Sequence, residues 1–229
     1  MGKKNKLQRF AENATFAHLF QPTFEELASG YSMKGNWNAG FFKNNHPIVV
    51  ELGCGKGEYT IALADKYPEK NCIGIDKKGA RLWKGSKTSL ENQMKNVAFI
   101  RTHTEMIEQI FAPGEINEIW ITFPEPQPRN SRAKRRFTSP QYIERYKQIL
   151  APGGLLHLKT DNAELYNYTL EIIVMHRYTI LYQTDDLYNA PVTPDIADVL
   201  PVQTFYEKMW LEQGLKIHYL KFIAESREL

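Results

Sequence analysis

Short apolar runs recur along the chain with helix-length segments between them. PIVVEL (47–52), NCIGID (71–76), VAFIR (97–101), EIWITF (118–123) and GLLHLKTD (154–161) each have the length and composition of a buried strand. Strand and helix therefore alternate, which predicts an α/β fold: a mostly parallel, doubly wound sheet with helices on both faces. Helix boundaries agree with that reading. In SPQYIERYKQILAPGG, Ser139 suits an N-cap, Pro140 suits the first helical position, and PGG ends the run. In TDNAELYNYTLEIIVMH, Asp161 and Glu164 are spaced like a capping box. LKIHYLKFIA (215–224) predicts a late strand, antiparallel at the sheet edge, reached through the irregular stretch 185–203 and the helical TFYEKMWLEQG. Residues 1–46 give no clear periodicity. They are expected to form a basic, irregular N-terminal extension, its first ten residues mobile, ahead of a main domain at 47–229.

Composition narrows this picture. With 229 residues and 42% hydrophobic content the chain supports a sizeable core. The net charge is only +3, yet Arg129, Arg132, Lys134, Arg135 and Arg136 form one basic block, and Lys3, Lys4, Lys6 and Arg9 form another. The rest of the chain is net acidic, so the basicity is localised, as a site for a polyanion requires. Cys54 and Cys72 fall at opposite ends of two predicted parallel strands, too far apart for a disulfide. No metal-ligand spacing appears, and no metal is expected. MGKKNKLQRF has charge with no apolar run behind it, unlike a signal peptide, and no apolar stretch reaches membrane-spanning length. A cytoplasmic protein is expected.

The first candidate site is ELGCGKG, directly after a strand and opening a helix. Gly53, Gly55 and Gly57 allow a tight turn and close approach of a ligand to the main chain. The spacing GxGxG is neither the GxGxxG of dinucleotide folds nor a P-loop. Nineteen residues beyond Gly57, Asp76 ends the next strand, where an acid is placed to bind two vicinal ribose hydroxyls. A glycine turn of some other α/β protein, with Glu51 a solvated strand end, is the plainer alternative.

The second is FPEPQPRNSRAKRRF (123–137), running straight on from the fourth predicted strand. In a doubly wound sheet the loop there opens beside the ligand crevice. Three prolines pre-shape it and hold Glu125 in a defined direction. The basic run beyond it carries no acid, and five phosphate contacts would give a log–log salt slope of roughly −3.5 to −4.5. A solvated face is the competing reading of such a run.

An acidic strand end before GxGxG, with an acid ending the next strand, resembles the S-adenosylmethionine site of Rossmann-like methyltransferases. FPEPQPRNSRAKRRF further resembles the signature of tRNA (guanine-N7)-methyltransferases, in which Phe-Pro-Asp-Pro-Trp is followed by a basic segment closing on Lys-Arg-Arg. LKTDN around Asp161 and TFYEK near the C-terminus match in order, so the resemblance runs from about residue 47 to the end. It implies a Rossmann-like methyltransferase fold, S-adenosylmethionine as cofactor and tRNA as partner, with methylation of guanosine N7 in the variable loop by a monomer or homodimer. It implies that Glu51, Asp76 and the loop glycines bind cofactor, and that Glu125 stands at the reacting centre in contact with cofactor and base. Arg129, Asp161, Thr204, Phe205, Tyr206 and Glu207 would bind substrate, and Ser131, Arg132, Ala133, Lys134, Arg135 and Arg136 would contact RNA. The sequence departs from the pattern in three places: Glu125 replaces Asp, Gln127 replaces Trp, and His103 is the nearest counterpart of the acid or amide that usually sits near the cofactor adenine. For Asp161, a helix cap is the alternative role. A fold-retaining RNA-binding protein, or a methyltransferase of exocyclic amines, are the alternative functions; the latter carry Asn/Asp-Pro-Pro-aromatic where this chain has FPEP.

Overall fold

The computed structural model describes residues 5–226. Lys3 and Lys4, two of the four cations in the predicted N-terminal basic group, lie outside them. The chain divides into two compact units between Ala112 and Pro113.

The first unit holds α1 (Lys6–Asn13), β1 (Leu19–Phe20), α2 (Phe24–Ser29), a π-type turn at Trp37–Phe42, β2 (Ile48–Leu52), α3 (Glu58–Lys66), β3 (Asn71–Asp76), α4 (Gly79–Glu91), β4 (Val97–Arg101) and the short α5 (Ile107–Ile110). Its strands lie parallel in the order β1-β4-β3-β2. All five residues of β2 and all six of β3 are buried, as strands covered on both faces must be, which is why they read as unbroken apolar runs.

Residues 5–46 carry more structure than their lack of periodicity suggests. Asn5 and Gln8 form a reciprocal capping box on α1, and Thr23 and Glu26 form one on α2. β1 is two residues long, too short for any alternation to register, yet it pairs with Phe99 and Ile100 of β4. Trp37 is fully buried, with its indole N–H on the Ile110 carbonyl at 3.1 Å.

The second unit holds β5 (Ile116–Thr122), a 3₁₀ segment at Asn130–Arg135, α6 (Pro140–Ile149), β6 (Leu150–Thr160), α7 (Ala163–Met175), β7 (Tyr178–Thr184), the short α8 (Pro194–Ala197), α9 (Phe205–Glu212) and β8 (His218–Ser226). Here β5 and β6 are parallel, while β8 runs antiparallel to both β6 and β7. The expected α/β class, with parallel strands and an antiparallel late edge, is what the chain adopts. Two local expectations change. Asn162, not Asp161, caps α7, its side chain accepting the Leu165 N–H at 2.7 Å. Ser139 does stand at the N-cap of α6, but its hydroxyl donates to the Lys134 carbonyl rather than capping.

Candidate active site

In the first unit the glycine loop joins β2 to α3. Gly53, Gly55 and Gly57 all have left-handed backbones, with φ of 69°, 58° and 72°, which glycine adopts without steric cost. At Gly57 space forbids a side chain as well, because a Cβ would stand 2.5 Å from the Phe99 ring. Gly85 of α4 serves the same loop from outside: its missing side chain leaves room for the Lys56 carbonyl. Asp76 fastens the loop to the end of β3. Its carboxylate accepts the Gly55 N–H at 3.0 Å and the Lys78 N–H at 2.7 Å. Glu51, near the end of β2, is 3% exposed and accepts a hydrogen bond from the Thr60 hydroxyl of α3. Two carboxylates thus stand toward the carboxyl ends of adjacent parallel strands. The buried Cys54 thiol between them is pushed well up, first by burial and then by both acids.

A cavity of about 400 Å³ begins at Lys77, the residue after Asp76, and is lined by Arg101, Thr102, His103 and Met106 with residues 21–24 and Leu27 of the N-terminal segment. His103 is exposed at its rim, 3.9 Å from Glu105. The contribution of residues 21–27 had no signal in the sequence.

In the second unit the proline segment leaves β5 through Phe123, whose N–H donates to the Lys159 carbonyl at 2.8 Å. The bends come at Phe123 and Gln127, with φ of 46° and 48°. Both precede prolines, and neither is glycine, so each stores backbone strain. The prolines restrict the loop, but these two residues turn it. Glu125 between them is exposed, as are Arg129, Ser131, Arg132, Lys134 and Arg135, with Ala133 half-buried.

Arg136 differs from the rest of its run. It is 7% exposed, donates to the Gln127 carbonyl from Nε at 3.3 Å and from Nη2 at 3.2 Å, and lies 4.3 Å over the Tyr168 ring. Asp161 is half-buried at the end of β6, its carboxylate not needed as the cap of α7.

The C-terminal motif divides likewise. Thr204 caps α9 in a reciprocal box with Glu207. Phe205 and Tyr206 are exposed, and Tyr206 leans on Trp210, which packs 4.8 Å from Phe123. Trp210 is thus half-buried on the loop rather than in the core, whereas Trp120 is buried and stacked on His157 at 3.9 Å. Glu207 is fully buried. It sits 2.6 Å from the Lys159 ammonium, accepts the Tyr188 hydroxyl at 2.6 Å, and accepts the Thr204 N–H at 3.2 Å. Burial pulls the Lys159 ammonium below its ordinary range while Glu207 pulls it back; burial and Glu207 together push the Tyr188 hydroxyl up. Lys159 and Tyr188 drew no notice in the sequence, since a lysine at the end of a strand ordinarily reads as solvated.

Among the described residues no cluster of His, Cys, Asp or Glu has the makings of a metal site, and no helix is long and apolar enough to cross a membrane.

Comparison with known proteins gives the arrangement its class. Solved structures of like fold include the 16S rRNA methyltransferase KamB, with a TM-score of 0.59 at 13% identity over 88% of this chain and 93% of that one. The antibiotic-resistance methyltransferase Kmr gives 0.57 at 17% identity over 85% and 92%. The family described as "Putative methyltransferase" matches residues 45–220, so fold and sequence define a Rossmann-like methyltransferase. Two relatives make the family specific. The tRNA (guanine-N(7)-)-methyltransferase of Christiangramia forsetii is 51% identical over 223 residues, covering 97% of this chain and 99% of that protein. Its namesake from Bacteroides thetaiotaomicron is 45% identical over 220 residues, covering 96% and 85%. The chain belongs to the tRNA (guanine-N7)-methyltransferase family.

Proposed function

We propose that this chain transfers the methyl group of S-adenosylmethionine to N7 of a guanosine in the variable loop of tRNA, in the cytoplasm, as a monomer or homodimer. The observation that carries the reading is the likeness across 97% of the chain to a protein named for that reaction. Residues 47–229 form the catalytic domain in this reading.

The residues fit the cofactor. S-adenosylmethionine is cationic at its sulfonium and ammonium and carries a ribose diol; Glu51 and Asp76 offer carboxylates toward the ends of neighbouring strands, and the cavity starting at Lys77 has room for a base, with His103 at its rim. When bound, the cofactor supplies an electrophilic methyl group. Asp76 accepts hydrogen bonds from the ribose hydroxyls, since each of its oxygens has a second lone pair beyond the backbone N–H it already binds. Glu51 faces the cationic end, and the left-handed glycine loop brings the main chain close.

Guanine N7 carries a lone pair in the ring plane and needs no base to expose it. The chain's work is alignment and exclusion of water. Glu125 accepts hydrogen bonds from guanine N1–H and N2–H, which adenine lacks, and so selects the base and stabilises the positive charge growing on the ring. Asp161, with capping left to Asn162, shares that role. Arg129 binds substrate beside them. Ser131, Arg132, Ala133, Lys134 and Arg135 hold the RNA backbone, while Phe205 and Tyr206 present exposed rings to it. Thr204 and the buried Glu207 act by fixing the start of α9.

The test is methyl transfer from labelled S-adenosylmethionine to unmodified tRNA, followed by nucleoside analysis. Label is expected in 7-methylguanosine, with turnover of Glu125→Gln reduced at least tenfold at saturating substrate. Label in any other nucleoside would overturn the assignment, and full turnover of Glu125→Gln would remove Glu125 from the reacting centre.

A further inference from the structure

Within the basic run, Arg136 has a geometry unlike that of an RNA contact. Its guanidinium is engaged on two sides, by the Gln127 carbonyl at its edge and the Tyr168 ring at its face, and it is 7% exposed where Arg132, Lys134 and Arg135 are open to solvent. To reach a phosphate it would have to leave both. We infer that Arg136 is a positioning residue for the methyl-transfer reaction: it holds the backbone of Gln127, and through it the loop that carries Glu125, against α7.

Gln127 is one of the two residues that turn the loop, and its left-handed backbone persists only where the surroundings enforce it. A planar guanidinium does this well. Two of its N–H groups converge on one carbonyl while its face remains free to stack on an aromatic ring. The far end of the segment is tied down independently. The Arg136 N–H closes on the Ala133 carbonyl, the Arg136 carbonyl accepts the Ser139 N–H, and the Thr138 hydroxyl meets the Thr169 hydroxyl at 2.8 Å, one residue along α7 from Tyr168. Residues 127–136 are thus a closed loop with both ends referred to α7. Glu125 lies two residues outside it, so the direction of its carboxylate depends on a side chain eleven positions away.

The inference rests on the reading that Glu125 meets the guanine base, and its test separates the two. Arg136→Lys keeps the charge but loses the fork and the stacking plane; Tyr168→Leu removes the ring; Arg135→Gln serves as the phosphate-contact reference. In the full chain, cofactor Kd, tRNA Kd against salt, kcat and KM, and the rate of tryptic cleavage at Arg129–Arg135 are measured. Arg136→Lys is expected to lower kcat at least tenfold, with tRNA Kd within twofold of the parent, the salt slope unchanged, and tryptic cleavage several-fold faster. Tyr168→Leu is expected to lower kcat about threefold in the same pattern. Arg135→Gln is expected to weaken tRNA binding and flatten the salt slope by about 0.7–0.9. Arg136→Lys with near-parental kcat and cleavage rate would overturn the inference, because a charge-only phosphate contact tolerates lysine. Should Arg136→Lys fail to bind cofactor, Tyr168→Leu decides, and unchanged kcat and cleavage there would overturn it. If the parent chain methylates some other base, the functional reading fails while the tryptic comparison still judges the loop.

Discussion

The candidate site regions of the two units are held in opposite ways. Around the glycine loop the left-handed positions are glycines, and the acids are fixed by the Gly55 and Lys78 amides on Asp76 and the Thr60 hydroxyl on Glu51. Around the proline segment the left-handed positions are Phe123 and Gln127, neither a glycine, and the groups that hold them are braced by side chains of α7 and α9. Arg136 donates to the Gln127 carbonyl and stacks on Tyr168, and Lys159, whose own carbonyl receives the Phe123 N–H, is paired with Glu207 forty-eight positions away. The first half is built from backbone that prefers its conformation. The second is strained and kept in place by side-chain pairs, so it should fail when a distant partner is removed.

The strongest way to break that contrast is Lys159→Met. It strands the Glu207 carboxylate in a site with no solvent access, and losing one partner of a buried ion pair costs about 3–5 kcal/mol. Adding Glu207→Gln should restore more than half of the loss, since a neutral amide keeps an oxygen for the Thr204 N–H. Chemical denaturation of both variants measures this; a loss below about 1 kcal/mol in Lys159→Met would mean the pair does not hold the second half. Next in size is Asp76→Ala. In its proposed role Asp76 takes two hydrogen bonds from the ribose, each worth about 1.5–3 kcal/mol, so cofactor affinity should fall about a hundredfold or more, read by calorimetry. tRNA affinity should stay within about twofold, because phosphate contacts elsewhere supply most of it. A matching drop in tRNA binding would show that Asp76 serves more than the cofactor.

This contrast also explains what the sequence could disclose. The strands from β2 to β6 were legible because each holds a short apolar run between helix-length segments, and the acid–glycine–acid pattern because its parts are local. β1 was not, being two residues long, too short for any alternation to show. Nor was the separation of Arg136 from its run: five cations in eight residues look alike until Tyr168 and the Gln127 carbonyl are brought to one of them. Glu207 was singled out through its motif, but its burial against Lys159 depends on packing between α9 and β6 that no spacing records. Asp161 against Asn162 is a finer case. Both suit an N-cap, and the outcome turned on one residue of register at the end of β6, where the Thr160 hydroxyl accepts the Asn162 N–H.

The smallest effect concerns pH, with one histidine in each unit. Burial lowers the pKa of His18, whose Nε2–H donates to the Ser86 carbonyl at 2.9 Å, and burial also lowers that of His218, stacked on Tyr166. In each case the unfolded chain binds more protons between the lowered folded value and the ordinary 6.5. The unfolding free energy therefore decreases as pH falls through that window and is unaffected by these groups well above it. The two should differ in degree. The burial of His18 is opposed by its carbonyl hydrogen bond, whereas at His218 Asp185, Asp161 and Asp186 favour the protonated ring and Lys216 works against it. Denaturation midpoints between about pH 7.5 and pH 5 should fall for the parent chain, and His18→Gln should flatten that dependence more than His218→Gln does. If His218→Gln flattened it more, Asp185, exposed and shared with Lys216, would be too well solvated to offset the burial of His218.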